Sequence, residues 1–353
     1  MLESPPLWLR ESLDSRPASL WRYREALGID RDSSIVTLGE GFTPLIESRF
    51  AGRPVQLKLD YLCPSGSYKD RGSAVLLSKL KEWSVSRIIE DSSGNAGASI
   101  AAYAALAGIE ADIYVPASAS AGKIAQIEAY GARLMRIHGS REDTTAAAMA
   151  AATNIFYASH NWSPYFLAGM KTAAYEIAEQ CAWNPPDYVV LPTGGGGLLA
   201  GMYLGFREMR DAGYIARMPR LIAVQAAACA PVYRAWSANL ADVAVVEKQP
   251  TAAEGISVAK PVRGKAILQA VRDSGGMVCT VEEHEIWETM ETLGARGLYV
   301  EPTAAAAPAA LVRLWERGTV EAAARIVVIL TGSGLKATDK IVERQALLAA
   351  TPV

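Results

Sequence analysis

Histidine and cysteine are both scarce in this chain, and neither is clustered. Three histidines (His138, His160, His284) and four cysteines (Cys63, Cys181, Cys229, Cys279) are scattered over 353 residues, with no CxxC pair. The spacing of a zinc site is absent and no disulfide framework is visible, so the thiols are expected to be reduced and the protein cytoplasmic, with no metal. Excess charge of either sign is lacking too: 35 basic residues face 37 acidic ones. No broad basic field exists to hold nucleic acid or an anionic membrane. No apolar run approaches the roughly 18 to 20 residues that cross a bilayer. Met1-Leu2-Glu3-Ser4-Pro5-Pro6 has no basic segment leading into an apolar one, so no secretory leader is expected.

What is present is an ordinary globular composition, 50% apolar and 20% charged, at a length that suits two lobes. Short β-branched runs predict strands over 87–90, 111–115, 133–137, 188–191, 221–225 and 326–330. Between and around them the pattern predicts helices over 98–106, 122–130, 171–180, 198–209 and 284–293. The alanine-rich stretches 146–152 and 304–310 read as close-packed helices. Strand–helix alternation predicts an α/β fold with mostly parallel sheets flanked by helices. Such sheets bind ligands beyond the carboxyl ends of their strands.

Three loops of glycine and small polar residues sit at those ends. They are Ser92-Ser93-Gly94-Asn95-Ala96-Gly97, the tetraglycine Gly194, Gly195, Gly196, Gly197, and Thr331-Gly332-Ser333-Gly334-Leu335-Lys336. A fourth segment, Ser65-Gly66-Ser67-Tyr68-Lys69-Asp70-Arg71-Gly72, supplies an amine. Alone, Lys69 would read as a surface lysine at a charged helix start. With the three loops it becomes a candidate imine-forming nucleophile, for which partial desolvation is required. Backbone N–H groups of a glycine loop opening a helix converge on an anion, and a phosphate fits Gly194 to Gly197. Asn95 has an amide for a phenolic ring oxygen, or is a plain helix cap. Ser92, Ser93 and Gly94 suit a substrate carboxylate. Thr331 offers a neutral hydroxyl to a pyridine nitrogen, which suits elimination and replacement at a β-carbon more than transamination. Gly255, in Ala253 to Val258, allows close backbone approach. Glu301 is a wall residue or a structural acid. The set describes a site for pyridoxal 5'-phosphate.

With these motifs in order, the chain resembles the fold-type II pyridoxal-phosphate enzymes, specifically the threonine synthase-like and threonine dehydratase-like group. Leu20 to Glu25, Leu38 to Leu45, Ser65 to Gly72, Ser92 to Gly97, Val224 to Pro231 and Leu330 to Lys336 carry the resemblance. It implies a two-lobed, tryptophan synthase β-like architecture with the active site between the lobes. A large cofactor-binding domain would comprise 1–54 and 166–353, and a small mobile domain 55–165. It implies Lys69 as the Schiff-base lysine, Asn95 at the ring oxygen, Gly194 to Gly197 at the phosphate and Thr331 at the ring nitrogen. It also suggests a homodimer.

Departures from the threonine synthase pattern bear on substrate. The phosphate loop is all glycine, Phe166 stands at an arginine position, and Ala96 stands where threonine is common. A substrate dianion would be poorly paired there, unless Lys260, Arg263 or Lys123 supplies a cation. A smaller or more apolar substrate, lined by Phe166 and Tyr165, fits better. The resemblance therefore implies a lyase that eliminates across the α,β-bond of a small hydroxy or β-substituted amino acid, or replaces its β-substituent. The alternatives are threonine synthase, taking O-phospho-L-homoserine, and a non-catalytic protein of the same fold.

Overall fold

A computed structural model describes residues 8–119 and 121–350, the side chains of 121, 123 and 348–350 excepted. The opening segment read against a leader, and the side chain of Lys123, lie outside that range. In chain order the described elements are β1 Leu45–Phe50, β2 Arg53–Lys58, α1 Asp70–Glu82, β3 Arg87–Glu90, α2 Asn95–Ala107, β4 Glu110–Pro116, α3 Ala121–Ala129, β5 Arg133–Ile137, α4 Arg141–Ala151, β6 Phe156–Tyr157, α5 Pro164–Gln180, β7 Tyr188–Pro192, α6 Gly197–Asp211, β8 Arg220–Ala226, α7 Pro231–Ser237, α8 Gly264–Asp273, β9 Met277–Val281, α9 Glu283–Gly294, α10 Pro302–Glu316, β10 Ile326–Ile329 and α11 Thr338–Ala350.

Two sheets result. The larger runs β1-β2-β10-β7-β8-β9 and the smaller β5-β4-β3-β6. Every pairing is parallel except that of β1 with β2. The central parallel strands β7 and β10 are apolar throughout because both faces are buried. Val189 and Leu191 of β7 enter one core with Val327 and Ile329 of β10, while Tyr188, Val190, Ile326 and Val328 enter the core beneath α10. The first core is continuous into the smaller sheet through α1, α2 and α5, so the two sheets share packing. Ala304 to Ala307 of α10 are fully buried, the close approach that an alanine face permits.

The six predicted strands are all present, with ends within one residue of those expected. The hairpin β1–β2 was not anticipated. It turns at Ala51 and Gly52, both at positive φ (46° and 77°). Pro54 sits opposite Arg49, outside the Gln56–Lys58 stretch that pairs with β10, where a missing N–H is tolerated. Because β2 lies beside β10, residues 53–58 belong to the larger sheet, and the smaller sheet spans 87–157.

Candidate active site

The ends of β3, β7 and β10 open on one cavity of about 1040 Å³. Lys69, Ser92, Ser93, Gly94, Asn95, Ala96, Phe166, Gly194, Gly195, Gly196, Gly197, Gly255, Glu301 and Thr331 all line it. Residues brought from distant stretches of the chain thus meet, as the reading of the motifs required.

Lys69 immediately precedes α1 and is held by its neighbours. Asp70 is fully buried and accepts from Ser65 N (2.6 Å), Ser65 Oγ (2.5 Å) and Ser99 Oγ (2.6 Å). Arg71, also fully buried, bonds Asp60 at 2.7 and 2.9 Å and Glu176 at 2.5 and 2.8 Å. Lys58 completes that buried network through Glu176 (2.7 Å). Breaking a paired buried charge costs about 3–5 kcal/mol, so the backbone at 69 is held firmly by its C-terminal neighbours. The Lys69 side chain is itself half-buried and lines the cavity. Its Nζ bonds the Tyr68 hydroxyl (2.6 Å) and stands over that ring.

The lysine segment is tied to the Thr331 loop. Tyr68 N donates to Thr331 O (3.0 Å), Ser67 bridges Gly332, and Glu301 N donates to Gly332 O (3.0 Å). A Cβ on Gly332 would come within 2.3 Å of the Glu301 carboxylate. Thr331 Oγ1 is buried yet has no hydrogen-bond partner. Buried hydroxyls are normally satisfied, so Thr331 Oγ1 has a hydrogen bond to offer a ligand at the cavity wall.

Asn95 is the first residue of α2, and Gly94, not Asn95, occupies the capping position. Its side chain is therefore free of a capping role and donates to Glu301 at 3.0 and 3.2 Å. Burial raises the Glu301 carboxyl above its ordinary value against the opposing bond from Asn95. Gly97 seats the loop on α2: a Cβ there would lie 1.8 Å from the Ser92 carbonyl oxygen.

In the tetraglycine, Gly196 has φ +84° and a Cβ would meet Ile267 at 2.2 Å; one on Gly194 would meet the Gly255 carbonyl oxygen at 2.9 Å. Gly197 opens α6 with nothing within 4 Å of the added atom. The N–H groups of Gly194 to Gly197 have no backbone acceptor among the described residues. Four free amides at a helix start suit a phosphate. The partnerless Thr331 hydroxyl and this cradle both fit pyridoxal phosphate.

Two expectations about the substrate side need adjustment. Phe166 lines the cavity, its ring against Gly72, where a Cβ would fall 2.6 Å from it. Tyr165 does not; it faces Trp83 (5.3 Å between centroids) and Lys79 because it points to another side of α5. Of the cations considered, Lys260 lines the cavity, whereas Arg263 turns to the Ser163 carbonyl (3.3 Å). Gly255 N bonds Thr303 Oγ1 (3.0 Å), which fixes the backbone at the wall.

Sequence reasoning passed over a charged group on the far wall. Asp91, directly before Ser92, accepts from Arg141 (2.8 Å), Thr145 (2.7 Å) and Tyr157 (2.8 Å). Burial would raise its carboxyl, but the Arg141 charge and these bonds outweigh that and hold it below the usual range. Glu90 is fully buried and meets His160 Nδ1 at 2.5 Å. The one available signal was the Glu-Asp pair abutting Ser-Ser-Gly-Asn; His160 gave none.

A family profile described as "Pyridoxal-phosphate dependent enzyme" matches residues 36–332. The threonine synthase of Methanocaldococcus jannaschii is 34% identical over 337 residues, covering 93% of this chain and 83% of that protein. That of Methanosarcina acetivorans is 32% identical over 341 residues, covering 94% and 84%. In three dimensions the chain is similar to a threonine deaminase of T.th., with a TM-score of 0.69 and 26% identity, covering 82% of this chain and 92% of that one. The profile spans every loop of the cavity from Lys69 to Thr331, and the chain belongs to the fold-type II pyridoxal-phosphate dependent enzymes.

Proposed function

We propose that this protein is a pyridoxal-phosphate lyase that eliminates across the α,β-bond of a small hydroxy or β-substituted L-amino acid, or replaces its β-substituent. Pyridoxal phosphate, when bound, supplies the electron sink that acidifies an amino acid's α-proton. Lys69 is the amine that anchors it, and Nζ then takes the proton from the substrate's Cα. Gly194 to Gly197 hold the phosphate, Asn95 the ring oxygen and Thr331 the ring nitrogen. Ser92, Ser93 and the N–H groups around Gly94 and Ala96 orient the substrate carboxylate. Phe166 and Gly255 shape the side-chain end.

The observation that carries this reading is the charge around that end. Phe166 and Asp91 line the cavity beside the Ser92–Ala96 loop and Arg141 is already engaged by Asp91, so a substrate dianion would have to be met by Lys248 or Lys260. A neutral side chain needs no such cation. A second reading, threonine synthase, is favoured by the relatives at 34% and 32% identity. Incubation with L-serine, L-threonine and O-phospho-L-homoserine separates the two. Keto acid from the first pair supports the lyase; phosphate from the third, with no keto acid, overturns it.

The smaller sheet and its helices act as a mobile lobe, within the expected span 55–165, that closes on substrate. The protein works as a homodimer in the cytoplasm, a setting consistent with four unpaired cysteines. Sedimentation at micromolar concentration tests the dimer; a monomer mass removes it.

A further inference from the structure

Glu90 and His160 form a couple that the functions given above leave unused. β6 lies beside β3, and its continuation follows the same path: Ala158 N donates to Ile89 O (2.8 Å). This carries His160 to the end of β3 and Asn161 to the glycine cradle, where its Oδ1 lies 3.0 Å from a Cβ built on Gly195. His160 thus stands between the two loops that hold the cofactor, and it lines the cavity with Lys69 and Phe166. Its ring packs edge-on against Phe166 at 5.9 Å. Nδ1 is engaged by Glu90 Oε1 at 2.5 Å, and the His160 backbone N–H reaches Oε2 at 3.4 Å. Nε2 has no hydrogen-bond partner among the described residues.

We propose that His160, oriented and resupplied by Glu90, is the proton donor to the substrate's leaving group, which is therefore a hydroxyl. This rests on the lyase reading above and adds to it a second proton-transfer site besides Lys69. The Glu90 carboxyl donates to Nδ1, which puts the imidazole proton on Nε2. As the carbon–oxygen bond breaks, its electron pair stays on oxygen. Nε2 gives its proton to that oxygen, releasing water, and the Glu90 proton passes to Nδ1. The ring ends neutral in the other tautomer and Glu90 ends as a carboxylate. One solvent proton taken at Nε2, with return of the Nδ1 proton to Glu90, restores the starting state.

The surroundings favour that starting state. Burial first, then the charge of Lys69, brings the imidazole down to about 3, with Asp91, Arg141 and Arg263 the other charges facing it. Burial first, then Asp91, raises the Glu90 carboxyl well above its ordinary value, against Arg141 and Lys69. Both directions keep the proton on the carboxyl and the ring neutral.

Two measurements test the relay. The chain has three histidines, so their ring nitrogens are resolvable by 15N NMR of the cofactor-loaded protein. His160 is expected as the neutral Nε2–H tautomer, without titration from about pH 5 to 8. Titration near the ordinary value of about 6.5, or an Nδ1–H tautomer, overturns the proposal. Kinetics supply the second arm. His160→Asn and Glu90→Gln are each expected to lower kcat on L-serine or L-threonine by about 100-fold, with KM within about threefold. Both should process β-chloro-L-alanine near the wild-type rate, because chloride leaves without a proton. Glu90→Gln retains an N–H for Nδ1, so the NMR tautomer should persist while kcat falls. Equal losses on the hydroxy and chloro substrates would mean a structural role only and overturn the relay. Wild-type turnover of β-chloro-L-alanine but of no hydroxy amino acid would also overturn it, leaving the lyase reading standing. Turnover of neither, with phosphate released from O-phospho-L-homoserine, would overturn both.

Discussion

Asn95 and Glu301 join the two halves of the cleft: the amide that opens α2 beyond the smaller sheet donates, at 3.0 and 3.2 Å, to the carboxylate that precedes α10 on the larger one. For Asn95 to serve a ring oxygen, its amide must be shared between that oxygen and Glu301. Asn95→Ala removes both. Cofactor affinity is expected to fall about tenfold, the value of one lost hydrogen bond near 1.4 kcal/mol. In the cofactor-free protein Glu301 loses its side-chain donor, and its carboxyl, already raised by burial, rises further. A carboxylate that costs more to ionise when folded loses stability as pH rises. Urea midpoints should thus show a larger loss at pH 8 than at pH 5; an equal loss at both would show that Glu301 is protonated throughout.

Thr331→Val separates cofactor binding from folding. The hydroxyl is buried without a partner, so the protein without cofactor gives up nothing on its removal and sheds an unsatisfied polar group. Its melting temperature is expected to be unchanged or higher. The variant should bind pyridoxal phosphate about tenfold more weakly, the value of one hydrogen bond, read by absorbance titration. A lower melting temperature without cofactor would show that the hydroxyl is satisfied within the protein.

Gly196 and Gly197 should part company on substitution. Gly196→Ala combines a left-handed φ of +84° with a Cβ 2.2 Å from Ile267, so the cradle must shift; about 1–3 kcal/mol of stability and most cofactor retention are expected to be lost. Gly197→Ala meets open space and starts a helix, so thermal stability should hold. Its methyl adds bulk where the phosphate would sit, and only phosphate binding should weaken. Differential scanning fluorimetry with and without cofactor distinguishes the two.

Much of this was legible in the sequence because parallel strands buried on both faces write themselves as unbroken apolar runs. Val189, Val190, Val327 and Val328 announce β7 and β10 with no need of alternation. Glycine loops at the strand ends then located the cavity, because their backbone constraints stand in the sequence. The edge hairpin β1–β2 was not legible, since Pro54 and the charged residues of Leu45–Phe50 lack a strand's apolar period. Tyr165 was misplaced because one step along α5 turns a side chain by about 100°. Glu90 and His160 escaped notice for another reason: they are 70 positions apart, and only the pairing of β6 with β3 brings them together.

The residue next to the lysine sets a pH limit of its own. Asp70 is fully buried, and burial raises its carboxyl to about 6 from an ordinary 3.8, despite hydrogen bonds from Ser65 and Ser99 that oppose the shift. The folded protein thus holds a proton that the unfolded chain has released between about pH 4 and 6. Stability from this group is fully present below about pH 4, falls as pH rises through that window and is lost above it, by about 3 kcal/mol in total. Asp70→Asn has no proton to lose. Urea unfolding at pH 4, 5 and 7 is expected to show the wild type losing about 3 kcal/mol more than the variant across the range. The variant should also turn over more slowly at every pH, because one amide oxygen cannot accept all three bonds that hold the Lys69 segment. Parallel pH profiles for the two proteins would mean that Asp70 ionises as easily folded as unfolded, and that its hydrogen bonds match the cost of burial.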